Sequence, residues 1–327
     1  MKIFVAGGTG VVGRTAVPAL VRQGHDVTVV ARTPAKAELV RSWGAEPVEV
    51  DLFDPTAVKA AVAGHDVVVN LATSIPPLSK AARPKAWATN DRLRREASRN
   101  LVDAALAAGA GRYVQESIAF LYADAGQDWI TEESPLAANP NTASALDAEA
   151  QAGRFAAAGG TAVVLRFGAF YGPENSQTAA MLRLARRGFG MVPGARDAYV
   201  SPIRTEDAAA AVVVAATDAP GGIYNVVDDE PLTRQAFDDD ALAAAVGRTR
   251  LRPVPKVAVR LMGEKLDHLT RSHRVSNRAL RAATGWAPRY PSAREGLAAL
   301  VSEGPAVDVG VALGEPEAAV EPVRRLP

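Results

Sequence analysis

Short apolar runs alternate with Ala-rich stretches through the first half of the chain. Lys2–Ala6 (KIFVA) reads as a buried strand and Thr15–Gln23 as the helix that follows it. The alternation then repeats. Strand Asp26–Ala31 precedes helix Ala35–Trp43, strand Glu46–Val50 precedes helix Pro55–Ala63, and strand Asp66–Leu71 precedes a long helix, Asp91–Ala108. A fifth strand opens at Arg112–Gln115, a helix covers Ala145–Ala158, and Thr161–Phe167 (TAVVLRF) makes a sixth strand. These strands are apolar almost throughout instead of at every second residue. That is the signature of a parallel sheet covered by helices on both faces. Right-handed crossovers then wind such a sheet in two directions. The expected fold class is therefore α/β, with a doubly wound parallel sheet.

After Phe167 the rhythm changes. Gly, Pro and Arg punctuate Gly168–Pro202, a helix follows at Thr205–Ala216, and Gly222–Val227 returns as a short strand. Arg252–Pro255 (RPVP) is extended because each proline restricts the residue before it. The pattern divides the chain into a large domain, residues 1–167 completed by 202–227, and a smaller lobe, residues 168–201 and 228–303. Residues 304–327, rich in Pro, Ala, Glu and Val without helical period, read as a tail.

The chain has 327 residues, 48% of them hydrophobic and 22% charged, which is too apolar for disorder and long enough for a large core. Lys+Arg number 37 against Asp+Glu 36, so there is no basic field for a nucleic acid. Cysteine is absent, which excludes disulfides, thiolate catalysis and thiolate metal sites. The four histidines are scattered at 25, 65, 268 and 273, and no metal site is expected. The N-terminal apolar run is too short for a signal peptide or a membrane span, so a cytoplasmic home is expected.

Gly7-Gly8-Thr9-Gly10-Val11-Val12-Gly13 follows the first strand and opens the first helix. One glycine makes a tight turn, one lets a pyrophosphate touch backbone, and one lets helix and strand pack closely. The helix N-terminus then offers unpaired N–H groups and the positive end of its dipole to the phosphates. In this strand–loop–helix context the motif predicts a Rossmann dinucleotide site. An acid closing the second strand would hold the ribose 2′-hydroxyl of NAD. Here the strand closes on Val30-Ala31-Arg32-Thr33, with no carboxylate. Arg32 and Lys36 can instead bracket a 2′-phosphate, which predicts NADP(H). Asp51 and Leu52, closing the third strand, are expected beside the adenine. Leu71, Ala72 and Thr73, closing the fourth, are expected beside the cofactor ribose.

Four further segments resemble the extended short-chain dehydrogenase/reductases, the NAD(P)-dependent epimerase/dehydratase family. They are Thr89-Asn90 with Arg99–Ala105, Gly111–Ser117 with Tyr122, Leu165–Pro173, and Val200–Ala208 with Gly222–Val226. The resemblance covers roughly residues 1–300. It implies a C-terminal lobe that binds substrate, and a catalytic Ser/Thr, Tyr and Lys with the last two spaced Tyr-x-x-x-Lys. That set is missing. Alignment through Leu146 and Glu149 puts Asn141 at the Tyr position and Ala145 at the Lys position, and the Ser position falls on Ile118, one past Ser117. No shift of register repairs this, because no Tyr lies between Tyr122 and Tyr171 and no Lys between Lys85 and Lys256.

A general acid is worth on the order of 10²–10⁴ in rate. Cofactor positioning and hydride donation do not require it. Ser117 and Asn141 could orient a substrate oxygen, but neither is an acid near neutral pH. Either residue could equally be structural, Ser117 as a strand hydroxyl and Asn141 as a helix cap. The resemblance places Ile118, Phe120, Phe170, Tyr171, Met181 and Tyr199 at substrate contacts. Such a wall suits an aromatic ring system better than a nucleotide sugar. Arg166 is expected to satisfy a local polar contact, and Arg183, Arg186 and Arg187 to form a solvated helix face. Three functions remain open. One is an NADPH-dependent reductase of a hydrophobic, aromatic or polyketide-like ketone, its proton coming from a substrate hydroxyl or water. The others are a redox sensor that binds dinucleotide without catalysis, and a non-redox cyclase, isomerase or dehydratase. The sensor would also bind a protein partner; for the enzyme readings the partner expected is a small-molecule substrate, with no nucleic acid and no membrane, and the oligomeric state stays open. Seven Lys against thirty Arg, with abundant Ala, hint at a GC-rich genome and secondary metabolism.

Overall fold

In the computed structural model, residues 1–77, 80–81, 83–255, 257, 259 and 264–303 are described. The tail expected at residues 304–327 lies outside them. Seven strands form one parallel sheet: β1 (Lys2–Ala6), β2 (Asp26–Val30), β3 (Glu46–Val48), β4 (Val67–Asn70), β5 (Arg112–Ile118), β7 (Thr161–Phe167) and β11 (Gly222–Val226). Their spatial order is β11-β7-β5-β4-β1-β2-β3. The chain thus winds one way from β1 and the other way from β4, so the direction reverses between these two neighbours. In open α/β sheets a ligand binds at that crevice, beyond the carboxyl ends of the strands.

Alternate residues of each strand feed two cores. Ile3, Val5, Val27, Val29, Val67, Val69, Val114 and Leu165 face helices α1 (Gly13–Arg22) and α8 (Thr205–Thr217). Phe4, Val68, Tyr113 and Val164 face α3 (Pro55–Val62), α5 (Ser98–Ala108) and α6 (Ser144–Ala157). Local chemistry starts these helices where sequence signals stand. The Thr33 side chain caps α2 (Pro34–Ser42) and that of Asp54 caps α3, each with proline directly after the cap.

The long helix before β5 is not uniform. It begins as α4 (Ala88–Arg92), passes through a π-helical stretch at Leu93–Ala97, and continues as α5. The widened turn puts Arg94 indoors, where its Nη2 meets both carboxylate oxygens of Glu116 on β5, at 3.0 and 3.3 Å. Strand pairs that the sequence pattern did not mark flank the sheet's carboxyl edge. β8 (Ala169–Tyr171) pairs with β10 (Pro202–Arg204), β9 (Tyr199–Val200) with β12 (Leu232–Thr233), and β6 (Trp129–Ile130) with β13 (Arg274–Val275). A separate apolar cluster holds Met181, Ala185, Leu232, Phe237, Leu242, Leu251, Leu297 and Leu300. No helix among the described residues is long and apolar enough to cross a membrane.

Candidate active site

The glycine loop lies at the crevice. Gly7 has φ +79°, and a Cβ there would stand 2.4 Å from the Leu71 carbonyl carbon at the end of β4. A Cβ on Gly13 would stand 2.5 Å from the Gly8 Cα, so loop and helix touch through bare backbone. Around Gly10 the neighbourhood is open: a Cβ would meet only the Gly7 oxygen, at 3.1 Å. α1 starts without a side-chain cap and without an acid in its first turn. An uncapped helix start behind an open glycine is a cradle for a diphosphate. The residues present therefore fit a dinucleotide.

The other cofactor candidates surround this cradle. Arg32 is exposed after β2, and Lys36 sits half-buried in the first turn of α2. No carboxylate stands at the strand end between them. Asp51 receives the Phe53 amide, and Leu52 is buried with its carbonyl held by Asn100. Asn70 fixes the exit of β4. Its Oδ1 receives the Ala72 N–H at 3.1 Å, and its Nδ2 reaches Ser98 and Gln115. Leu71 and Ala72 are thereby held beside Gly7, and Thr73 follows them, exposed. Two further residues shape this edge, Arg14, which carried no recognisable motif, and Asn90 of the Thr89-Asn90 pair. Arg14 donates to the Thr9 carbonyl and to Glu174, at 3.1 Å each, tying the loop to the segment after β8. Asn90 receives the Ser74 N–H, while its buried Nδ2 finds no partner among the described residues.

Across the crevice, at the exit of β5, polar groups are already engaged with one another. Ser117 is fully buried and donates to Glu149 on α6 at 2.6 Å. Arg166 grips both oxygens of that carboxylate, at 2.8 and 2.7 Å, and donates to the Tyr122 hydroxyl at 2.9 Å. Tyr122 in turn donates to Asn225 at 2.7 Å. Burial pushes the Tyr122 pKa up, with Arg166 opposing. Ser117 is thus a structural hydroxyl, and Tyr122 is locked in the same network.

The three positions expected from the resemblance to align with a catalytic set are Ile118, Asn141 and Ala145. Ile118 is half-buried, and Ala145 is fully buried. Asn141 is buried too, but it does not cap α6 with its side chain. The cap-like residue is Asn139, whose Oδ1 receives the N–H groups of Asn141 and Thr142. The Asn141 amide reaches the Ala81 carbonyl at 3.4 Å. Asn139 also donates to Asp267 at 2.6 Å, joining this turn to the small lobe.

The expected substrate contacts divide. Ile118, Phe120 and Phe170 are half-buried near the strand exits, and the Phe120 ring meets His268 and His273 edge-on. Tyr171 and Met181 do not belong with them. Both are packed in the small-lobe core, where Tyr171 donates to buried Asp228 and lies against Gly296. Tyr199 lies under the Arg274 guanidinium, which also covers Trp129. Arg166 holds the local polar contact expected of it, and Arg183, Arg186 and Arg187 are exposed as expected.

The model of the NAD dependent epimerase/dehydratase family matches residues 3–226, and the chain belongs to that family. It is 36% identical over 308 residues to a 3-diazoavenalumate denitrifying reductase from a Streptomyces sp, across 91% of this chain and 99% of that protein. It is 31% identical over 118 residues, 36% of this chain and 34% of the relative, to the photosystem II assembly factor Ycf39 of Synechocystis. Among solved structures, the human epimerase family protein SDR39U1 with NADPH superposes at TM-score 0.76 with 22% identity, over 92% of this chain and 99% of that one. UDP-glucose 4-epimerase from Thermus thermophilus with NAD gives TM-score 0.72 with 23% identity, over 92% and 98%. Those two likenesses establish the fold alone. Family and reductase relative together support an oxidoreductase with a nicotinamide cofactor.

Proposed function

We propose that this protein is an NADPH-dependent reductase of a hydrophobic aromatic small molecule, acting on an acceptor that needs no proton from the protein. The observation that carries this is the cradle opposite an acid-free site. The dinucleotide loop is complete, while the Tyr and Lys positions are Asn141 and Ala145 and the neighbouring Tyr122 is locked between Arg166 and Asn225. Arg32 and Lys36, with no acid at the end of β2, are the residues that would hold a 2′-phosphate. When bound, NADPH supplies a hydride. The half-buried side chains of Ile118 and Phe120 would orient an aromatic face and keep water away, whereas Phe170 packs on Phe167 and the sheet core.

A diazo acceptor, protonated or as a diazonium, fits such a site best. The new C–H bond takes the hydride pair, the C–N pair leaves with dinitrogen, and no oxygen has to be protonated. The relative at 36% identity is named a denitrifying reductase of 3-diazoavenalumate, a diazo compound, which supports this reading. A second reading keeps the carbonyl. A ketone beside a phenol or enol carries its own donor through an internal hydrogen bond, which would replace the missing acid. Deuterium separates the two. With [4-²H]NADPH and an arenediazonium salt, the first reading expects N2 release and deuterium on the ring carbon. With a 2-hydroxyaryl ketone, the second expects deuterium on the carbinol carbon. Tight NADPH binding with no deuterium transfer to either would refute the reductase and favour a dinucleotide sensor.

A further inference from the structure

Helix α7 (Ser176–Arg186) ends on the small lobe, and backbone hydrogen bonds fix the turn that follows it. The Gly190 N–H donates to the Arg252 carbonyl at 2.8 Å, and the Arg252 N–H donates to the Gly188 carbonyl at 2.9 Å. Leu251 is buried in the small-lobe core, and its N–H is received by Asp239 at 3.1 Å. That anchor leaves Arg250 and Arg252, on either side of it, exposed. The two segments wall a cavity of about 300 Å³, lined by Arg187, Phe189, Arg248, Arg250 and Arg252.

Little balances the charge of this wall. Arg248 is held in place by its Nε and Nη2, which donate to the Arg186 carbonyl at 3.1 and 2.7 Å. The acid that reaches the wall is Asp239, 3.9 Å from the Arg250 Nε, and Arg196 already holds it at 2.8 Å. Asp238, behind Gly190, is buried. Among the described residues Arg187, Arg248 and Arg252 pair with no acid. Arg183 and Arg186, on the last turn of α7, add two more exposed guanidinium groups. The whole chain carries a net charge of only +1, so this field is local. Within it the Phe189 ring is 44% exposed, with the Arg252 guanidinium 5.8 Å from its centroid. Clustered cations repel one another until an anion enters, and an exposed ring among them offers a face for stacking.

We propose that this cavity is a second ligand site, for a nucleoside polyphosphate. Arg187, Arg250 and Arg252 hold the phosphates, and Phe189 stacks the base. A hollow of this size takes one small molecule, not a strand of nucleic acid or a protein face. It lies at the C-terminal end of α7, about 16 Å from the helix start. Just before that start Glu174 meets Arg14 of the glycine loop, so the cavity is separate from the cofactor cradle and does not rest on the reductase reading. The test is calorimetric titration of NADP⁺-saturated protein with ATP, with inorganic triphosphate and with adenosine at one salt concentration. ATP should bind about tenfold more tightly than triphosphate, the worth of one stacked base, and adenosine should give no measurable heat. Arg250→Gln combined with Arg252→Gln, both on exposed side chains, should weaken ATP about tenfold or more through lost charge-assisted contacts while NADP⁺ affinity stays as in wild type. Phe189→Ala should bring ATP down to the affinity of triphosphate. No ATP binding at millimolar concentration, equal affinities for ATP and triphosphate, or ATP binding that the paired Gln variant leaves unchanged would each overturn the proposal.

Discussion

The two banks of the β1–β4 crevice have been shaped in opposite ways. On the glycine-loop bank everything is left open. Helix α1 has no cap, Gly10 has empty space before it, and Arg32 stands exposed. On the β5–α6 bank Ser117, Glu149, Arg166 and Tyr122 are engaged with one another and with the Asn225 Oδ1, while the buried Asn225 Nδ2 has no partner among the described residues. Open backbone donors suit a ligand, whereas this network holds its hydroxyls and charges within itself. The difference teaches where chemistry resides in this molecule. In the proposed reading, one bank would hold the reductant and the other would supply shape without an acid.

The sharpest way to break the comparison is to fill the open bank. Gly10→Val should leave a folded protein with no measurable NADPH binding, because the new side chain occupies the space in front of the cradle. Gly13→Val should instead unfold it, since its Cβ would strike the Gly8 backbone. Circular dichroism and calorimetric titration separate the two outcomes. Retained NADPH affinity in folded Gly10→Val would remove the dinucleotide assignment. On the closed bank, Arg166→Met should cost about 3–5 kcal/mol of stability, the usual effect of stranding one partner of a buried pair. Its side chain is 3% exposed and that of Glu149 is 9%. A urea midpoint close to that of wild type would show that the network is not structural.

The open bank was legible in the sequence because each of its features is local. A glycine motif, a strand before it and a helix after it lie within one stretch of chain. The sheet was legible for the same reason, since apolar runs mark buried strands one at a time. The closed bank was only half legible. The sequence shows no Tyr between Tyr122 and Tyr171 and no Lys between Lys85 and Lys256, but the partner of Ser117 lies 32 residues away and that of Arg166 is 17 away. Tyr171 was misplaced for a related reason. Its ring looked like a cleft wall in sequence, yet its partner Asp228 is 57 residues on, inside another core.

A smaller effect sharpens the open bank. NADPH should bind at least tenfold more tightly than NADH, about 1.4 kcal/mol. Arg32→Ala should narrow that gap by roughly 1–3 kcal/mol, the loss of a charge-assisted hydrogen bond. Titration of both cofactors at one salt concentration checks it, because phosphate contacts weaken with salt. Equal affinities in the wild type would take Arg32 and Lys36 out of the site.

The smallest expected effect lies at the two polar residues nearest the missing acid. If the acceptor needs no protein proton, Ser117→Ala and Asn141→Ala should each lower kcat by less than tenfold, since a lost general acid costs on the order of 10²–10⁴. Ser117→Ala removes one hydrogen bond from Glu149, which keeps both contacts to Arg166. Its effect should therefore appear in stability, about 1 kcal/mol, before it appears in rate. Asn141→Ala removes a long contact to the Ala81 carbonyl, at 3.4 Å, while the backbone of the turn stays held by Asn139. A ketone whose neighbouring phenol is methylated adds the complementary half of the test. If the substrate carries its own acid, methylation should lower turnover by on the order of 10²-fold. An unchanged inhibition constant for the methyl ether would show that the pocket still admits it. A thousandfold fall in either protein variant would instead return the proton donor to the closed bank, and the contrast between the two banks would no longer hold.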